Sequence, residues 1–432
     1  MKRDGITTNV SQTRPSFGAA VIRTTCRGCG GANVTTVFAD LGIQPPANSY
    51  LRSAEASHDE RAYPLRALVC ADCLLVQVDT DVPREELFYD YAYFSSFSES
   101  WQKHAEAYAS MAIFRFGLDR GSFVVEVASN DGYLLKNFVA ADIPCLGIEP
   151  SDTVAAAASR IGVPTQVSYL DREVAEAVVA RRSKADLVIA NNVWAHVPDL
   201  DSFTAGLAVL LKPEGILTIE VQHLLPLMEH VEFDTLYHEH YTYFSLLAAE
   251  RLLARHELKV FDVEQISTHG GSLRYYIVHA SRKDVAEGNG LRKVRADEAA
   301  AGLDMLETYS KFAAQIPVCR DALRAFLADA RSAGKTVGAY GAAAKGNTLL
   351  NYCGIGTGDI ALVADRNPHK QGQLLPGSHI PIVAPEVLMD ARPDFVLILP
   401  WNLRLEIMNQ LAGIREWGGK FVTPVPTVQI WD

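Results

Sequence analysis

Apolar and polar positions along this chain recur with a period that switches between two and about 3.6. Phe123-Val124-Val125-Glu126-Val127 is a short β-forming run, and Ala128-Ser129-Asn130-Asp131-Gly132 breaks it. Tyr133 to Phe138 then resumes at helical spacing. Strand-like runs follow at Cys145–Ile148, Asp186–Ala190 and Ile216–Val221, the last after a predicted turn, Leu211-Lys212-Pro213-Glu214-Gly215. Strands alternating with helical stretches predict a doubly wound α/β sheet, with ligands beyond the carboxyl ends of its strands. Trp101 to Phe116 reads as a helix leading into that sheet, and Leu291 to Phe326 as a pair of connecting helices. Gly334 to Asn347 reads as a strand, a glycine turn and a helix start. Ile360–Ala364 and Phe395–Pro400 add strands to this second α/β unit.

Length and charge narrow the picture. At 432 residues the chain exceeds the usual extent of one core. The expected division is a loose tail over 1–22 and a small cysteine-bearing domain over 23–95. A cofactor-binding α/β domain over 96–281 and the second α/β domain over 282–432 complete it. A formal net charge of −11 weighs against nucleic-acid binding, because nothing would offset phosphate repulsion. A local basic pocket for one nucleotide diphosphate is compatible with it. No apolar run reaches membrane-spanning length, and Met1-Lys2-Arg3-Asp4-Gly5 lacks the apolar stretch of an export signal. The expected setting is the cytoplasm, with no membrane partner.

Four of the seven cysteines are paired, as Cys26-Arg27-Gly28-Cys29 and Cys70-Ala71-Asp72-Cys73. Two intervening residues let both thiolates of a pair turn toward one ion, and two such knuckles complete a tetrahedral shell. Zinc is the expected metal, with iron as the alternative. A thioredoxin-like redox pair is weaker, since neither pair opens the helix of a βαβ unit. Four thiolates leave no open position for water or substrate, so the metal is read as structural. Cys145, behind Pro144, reads as a buried small hydrophobe.

The turn at residues 128–132 is not GxGxxG, which argues against cradling a pyrophosphate. Ser129, Asn130 and Asp131 suit the amino-acid portion of S-adenosylmethionine better. Glu149 ends the second strand, where a carboxylate can accept both ribose hydroxyls of an adenosine. The candidate cofactor set is Glu126, Ala128, Ser129, Asn130, Asp131, Gly132, Glu149, Asn191 and Asn192. Phe88 to Phe94 is an aromatic cluster, read either as a packing seam or as a flap aiming tyrosine hydroxyls into a cleft.

With these motifs the chain resembles the sugar C-methyltransferases that act on nucleotide-linked 4-keto-deoxysugars in branched-sugar and antibiotic biosynthesis. The resemblance runs from Cys26 nearly to the C-terminus. It rests on both cysteine knuckles, Ser129-Asn130-Asp131-Gly132, Ala195-His196-Val197-Pro198-Asp199 and Gly270-Gly271-Ser272-Leu273-Arg274. Its most specific part is Phe233-Asp234-Thr235-Leu236-Tyr237-His238-Glu239-His240. It implies a class I, Rossmann-like methyltransferase sheet flanked by a small N-terminal zinc domain and a second, C-terminal Rossmann-like domain. The implied protein is a monomer or weak homo-oligomer, with a TDP-sugar as the expected substrate.

Carbon becomes nucleophilic when a proton leaves C3 beside a 4-keto group and the enolate spreads onto O4. By resemblance, His240 is the base, with Tyr237 and Glu239 orienting base and sugar and His196 and Tyr91 assisting. Tyr89, Tyr91, His196, Tyr237, Arg274, Lys345 and Asn347 are the expected sugar-nucleotide contacts. In an extended segment Glu239 and His240 would face opposite ways, so a turn is required there. The chain departs from the family at Ala128, where glycine is common, and at Trp194, where a smaller aliphatic is usual. After Val221 it also lacks a common proline. Two competing readings are an NAD(P)-dependent sugar-nucleotide oxidoreductase using the C-terminal unit and a non-catalytic zinc-stabilised binding protein.

Overall fold

Val124–Val127 is buried at every position, as befits a parallel strand covered on both faces. In the computed structural model, which describes residues 19–432 apart from 54, 88–95, 97 and 98, it lies inside a seven-stranded sheet. The order is Thr165–Val167, Cys145–Glu149, Val124–Val127, Ala185–Asn191, Leu211–Gln222, Ser272–His279 and Leu258–Ile266. Ser272–His279 inserts antiparallel between its two neighbours, and the first five strands are mutually parallel. The order reverses between Val124–Val127 and Ala185–Asn191, which puts the ligand crevice at their carboxyl ends.

Helix starts on this sheet are set by side-chain caps. Asp171 accepts from Val174 N at 2.7 Å, Asp199 from Ser202 N at 3.1 Å, and Ser245 from Ala248 N at 3.1 Å. Leu211 to Gly215 is not a separate turn. These residues begin the strand Leu211–Gln222, with Leu211 opposite Ala185 and a register shift before Ile216 meets Leu187. Pro213 and Gly215 are accommodated by that irregularity.

The cysteine knuckles flank a four-stranded antiparallel sheet of Val34–Gln44, Tyr63–Cys70, Val76–Val78 and, from far along the chain, Thr242–Tyr243. That last strand carries the end of the histidine-rich segment into the N-terminal domain.

Three helices, not two, lead to the C-terminal unit: Asn289–Ala300, Leu306–Ala313 and Ile316–Ser332. Gly302, at φ 74°, turns the chain after the first, and Pro317 sits in the opening turn of the third. The first helix packs Leu291 and Val294 into the core of the central sheet, whereas Leu323 and Leu327 of the third belong to the C-terminal core. There a six-stranded sheet runs Ile382–Val383, Val363–Ala364, Val337–Tyr340, Phe395–Ile398, Lys420–Thr423 and Gln429–Trp431. All but the last are parallel. Phe38 of the N-terminal sheet stacks on Phe312 at 4.4 Å, so the two end units share one core.

Candidate active site

Between the three units lies a cleft of about 1810 Å³. A single small-molecule site occupies about 300–1,000 Å³, so this cleft has room for two ligands side by side. Its walls come from the Asn48–Tyr50 loop, the carboxyl ends of the central sheet, the segment around Tyr237–Tyr243 and the start of the C-terminal helix at Lys345.

At the central sheet the chain after Val127 turns through left-handed residues: Ala128 at φ 55°, Asn130 at 50° and Gly132 at 79°. The first of these explains why glycine is common there, since a Cβ in this region costs about 1 kcal/mol. Ala128, Asn130, Glu149, Asn191 and Asn192 line the cleft. Glu126, Ser129 and Asp131 are buried just beneath. Glu149 accepts backbone N–H groups of Asn130 and Ser151, each at 3.0 Å.

Burial, with Glu149, Asp131 and Glu220 nearby, pushes Glu126 well above the usual carboxylate range. A Glu126 carboxylate oxygen, Ser129 Oγ, Asp131 Oδ1 and Asn191 Oδ1 are buried without partners among the described residues. Such a nest of acceptors and carboxyl groups fits a cationic ligand with several N–H donors, as the sulfonium amino acid S-adenosylmethionine is.

Across the cleft, His240 N closes a turn onto Tyr237 O at 2.9 Å, which brings the two side chains together. Tyr237 Oη lies 2.9 Å from His240 Nε2, and the rings are 4.1 Å apart. His196 faces His240 edge-on at 4.6 Å, delivered by the short helix Trp194–His196. Burial pushes His196 down to about 4. Burial, then His196, His269 and Lys345, hold His240 well below the ordinary histidine range, against a pull from the Thr235 backbone. Both rings are therefore neutral at pH 7. Glu239 lines the same cleft: Asn48 Nδ2 donates to its Oε2 at 2.8 Å, and burial pushes the carboxyl up to about 7.

His238 packs elsewhere, with Nε2 3.2 Å from Pro64 O, so it and His240 engage different neighbours and form no metal pair. His223 is buried against Glu298 at 2.7 Å. Glu298 also accepts from Leu246 N and Leu247 N, which makes His223 a structural residue.

The substrate-binding expectations divide. His196, Tyr237 and Lys345 line the cleft, Lys345 with Nζ 3.0 Å from Asn402 Oδ1 and 4.4 Å from the Trp401 ring centre. Asn347 is buried in the same helix, 1% exposed. Arg274 is not brought to the cleft wall. Its guanidinium bonds Glu220 at 2.6 and 2.7 Å and Glu264 at 2.8 Å, and buried Glu220 also meets His104. Tyr89 and Tyr91, with the rest of the aromatic cluster, lie outside the described residues. Trp194 is core: fully buried, stacked on Phe244 at 4.2 Å, with Nε1 donating to Thr204 Oγ1 at 3.1 Å. Sequence reasoning missed Asn48, Trp101, His269 and Lys370 as cleft residues. Nothing in the spacing of Asn48 pointed to Glu239.

In the N-terminal domain the sulfurs of Cys26, Cys29, Cys70 and Cys73 lie within 4.8 Å of one another. Gly28 N and Gly31 N each point at a cysteine sulfur at 3.4 Å. Tetrahedral zinc at about 2.3 Å from each sulfur needs sulfurs about 3.8 Å apart, so the four cysteines fit structural zinc. Among the described residues this is the cluster that could hold a metal.

A class I sheet with an acidic, cation-seeking crevice, facing neutral histidines across a shared cleft, defines an S-adenosylmethionine-dependent methyltransferase. Residues 26–88 match a zinc binding domain family, 101–263 a methyltransferase domain and 267–426 the C-methyltransferase C-terminal domain. The C-methyltransferase NovU of Streptomyces niveus is 34% identical over 410 residues, covering 94% of this chain and 96% of that protein. The chain therefore belongs to this three-part C-methyltransferase family, with S-adenosylmethionine as methyl donor and a structural zinc. A ubiquinone biosynthesis O-methyltransferase of Rhodopseudomonas palustris matches at 29% over 99 residues, 23% of this chain and 39% of that one. Magnesium protoporphyrin IX methyltransferase ChlM of Synechocystis, solved with bound SAH, overlays with TM-score 0.33 at 16% identity, covering 41% of this chain and 83% of that one. Among the described residues no helix is long and apolar enough to cross a membrane.

Proposed function

We propose that this C-methyltransferase methylates C3 of a nucleotide-linked 4-keto-deoxysugar, a TDP-sugar being the expected form, through an enolate generated by His240. The observation that supports it is the neutral Tyr237–His240–His196 cluster, which faces the cofactor crevice across a cleft large enough for a second ligand. A neutral imidazole can take a proton, and the Tyr237 hydroxyl beside it can donate to the developing enolate oxygen. The low pKa makes His240 a modest base. The adjacent keto group, by acidifying the C3 proton, makes a modest base sufficient.

When bound, S-adenosylmethionine supplies the electrophilic methyl group. The chain's own residues supply alignment: the two walls face each other, so carbon and methyl donor are held by separate rigid elements. Glu239, fixed by Asn48, orients the sugar. Lys345 and Asn402 offer a cation and an amide to the nucleotide diphosphate from the C-terminal domain.

An oxidoreductase reading is not favoured. In the C-terminal unit Asp365 accepts from Ala342 N at 2.7 Å, and Tyr50 Oη and Lys370 Nζ both donate to Ala342 O at 2.7 Å. The chain's own side chains thus fill the glycine turn where a dinucleotide would lie.

The test is mass spectrometry after incubation with methyl-labelled S-adenosylmethionine and a panel of TDP-, CDP- and GDP-4-ketodeoxysugars. Label in an intact sugar nucleotide, placed at C3 by NMR, is the expected result. No labelled product from folded, zinc-loaded, cofactor-binding protein would refute the substrate class.

A further inference from the structure

His196 and His240 stand on different loops, and both loops are tied to the first cysteine knuckle through one side chain. Arg27, between Cys26 and Cys29, is 4% exposed and points away from the metal position toward the cleft's supports. Its Nη1 donates to Pro198 O at 2.8 Å, two residues past His196, and its Nη2 donates to Val78 O at 3.2 Å and to the Asp81 carboxylate. The guanidinium lies 4.8 Å over the ring of Tyr241, the neighbour of His240. Backbone bonds close the frame: Tyr241 N to Ala195 O at 2.8 Å and Val78 N to Tyr241 O at 3.0 Å. Arg27 N itself is held by Gln77 Oε1 at 2.8 Å.

We propose that Arg27 is a positioning residue that holds the His196 and His240 loops in register with the zinc knuckle, so that the geometry of the proton-transfer pair depends on the metal domain. The inference rests on the proposed role of His240 as base. A buried arginine is expensive, and apolar replacements often pack as well or better. Its presence here is accounted for by its fork, which reaches the Pro198 carbonyl of the His196 loop, the Val78 carbonyl at the end of the strand Val76–Val78 and a carboxylate at once. A lysine ammonium cannot span that set.

His240 is the reporter. It is faced by Tyr237, Tyr243 and His196 from the two loops, by His269 from the end of the sheet, and by Lys345 from the C-terminal domain. Its low proton affinity comes first from burial, so loosening the loops admits water and raises it.

The experiment uses Arg27→Ala and Arg27→Lys in the full-length, zinc-loaded chain. Zinc content, SAH affinity, the titration of the His240 ring by NMR, kcat and KM are measured, with His240→Gln to assign the resonance. The expected result is unchanged zinc and SAH binding, with kcat lowered about 10- to 100-fold and KM little altered. The His240 midpoint should rise toward about 6.5, and the acid limb of kcat/KM should rise with it. A zinc-loaded variant with wild-type kcat and an unmoved His240 midpoint would overturn the proposal. A lower melting temperature with those two values unchanged would likewise leave Arg27 merely structural. If Arg27→Ala does not fold, Arg27→Lys decides: it keeps the charge opposite Asp81 and loses the fork. Because the NMR titration needs no substrate, failure of the sugar assignment would not obscure the result.

Discussion

Replacing Glu149 with glutamine tests the proposed contact of this side chain with the cofactor ribose. Each Glu149 carboxylate oxygen already accepts one backbone N–H, from Asn130 and Ser151 at 3.0 Å. A carboxylate offers about four lone-pair sites, so one acceptor per oxygen remains for the two ribose hydroxyls. Glutamine keeps the shape but replaces one oxygen with NH₂, which removes one ribose acceptor and sets a donor against a backbone donor. A hydrogen bond to a charged group contributes about 1.5–3 kcal/mol. With the mismatch included, the loss comes to about 2–3 kcal/mol, or about 30- to 150-fold weaker SAH binding. Calorimetric titration of SAH into wild type, Glu149→Gln and a His240→Gln control measures it. Burial already raises Glu149, so acidification should mimic the mutation, with affinity falling as pH drops through its pKa. SAH binding equal to wild type in folded Glu149→Gln would refute the ribose role.

Three further perturbations separate chemistry from architecture. His240→Gln should lower kcat about 10²- to 10⁴-fold while SAH affinity stays as in wild type, and near-normal turnover would remove His240 as the base. Cys73→Ser, or chelation of the wild-type protein, should release zinc and lower the melting temperature, because metal binding here contributes directly to folding. Full stability after zinc loss would show the metal to be dispensable. Trp194→Leu should cost about 2–4 kcal/mol by denaturant unfolding, since the indole is fully buried between Phe244 and Tyr275. An unchanged midpoint would contradict its place in the core.

The sheet and the metal shell were legible because each is written locally. A run such as Val124–Val127 ending in a polar turn, or a cysteine pair at knuckle spacing, carries its own physical reason. Leu211–Gly215 misled because proline and glycine signal a turn equally well when they sit in a strand irregularity. The third helix between residues 289 and 332 was marked in the sequence by Gly302 and Pro317, whose breaks were overridden by the helical spacing read across them. Arg274, three residues after a glycine pair, is expected from the sequence to contact the sugar nucleotide. Its partners Glu220 and Glu264 lie on neighbouring strands, a pairing that only the sheet register reveals. The same holds for Asn48 and Glu239, 191 residues apart in sequence.

The central claim is that His240 removes a proton from the carbon beside the keto group. Incubating enzyme, SAH and a TDP-4-ketodeoxysugar in D₂O, and following the sugar by NMR, tests it without any methyl transfer. Deuterium should enter at C3, and His240→Gln should abolish the exchange while still binding SAH and sugar. Exchange at the same rate in His240→Gln, or none in a wild-type enzyme that methylates the same sugar, would contradict the account.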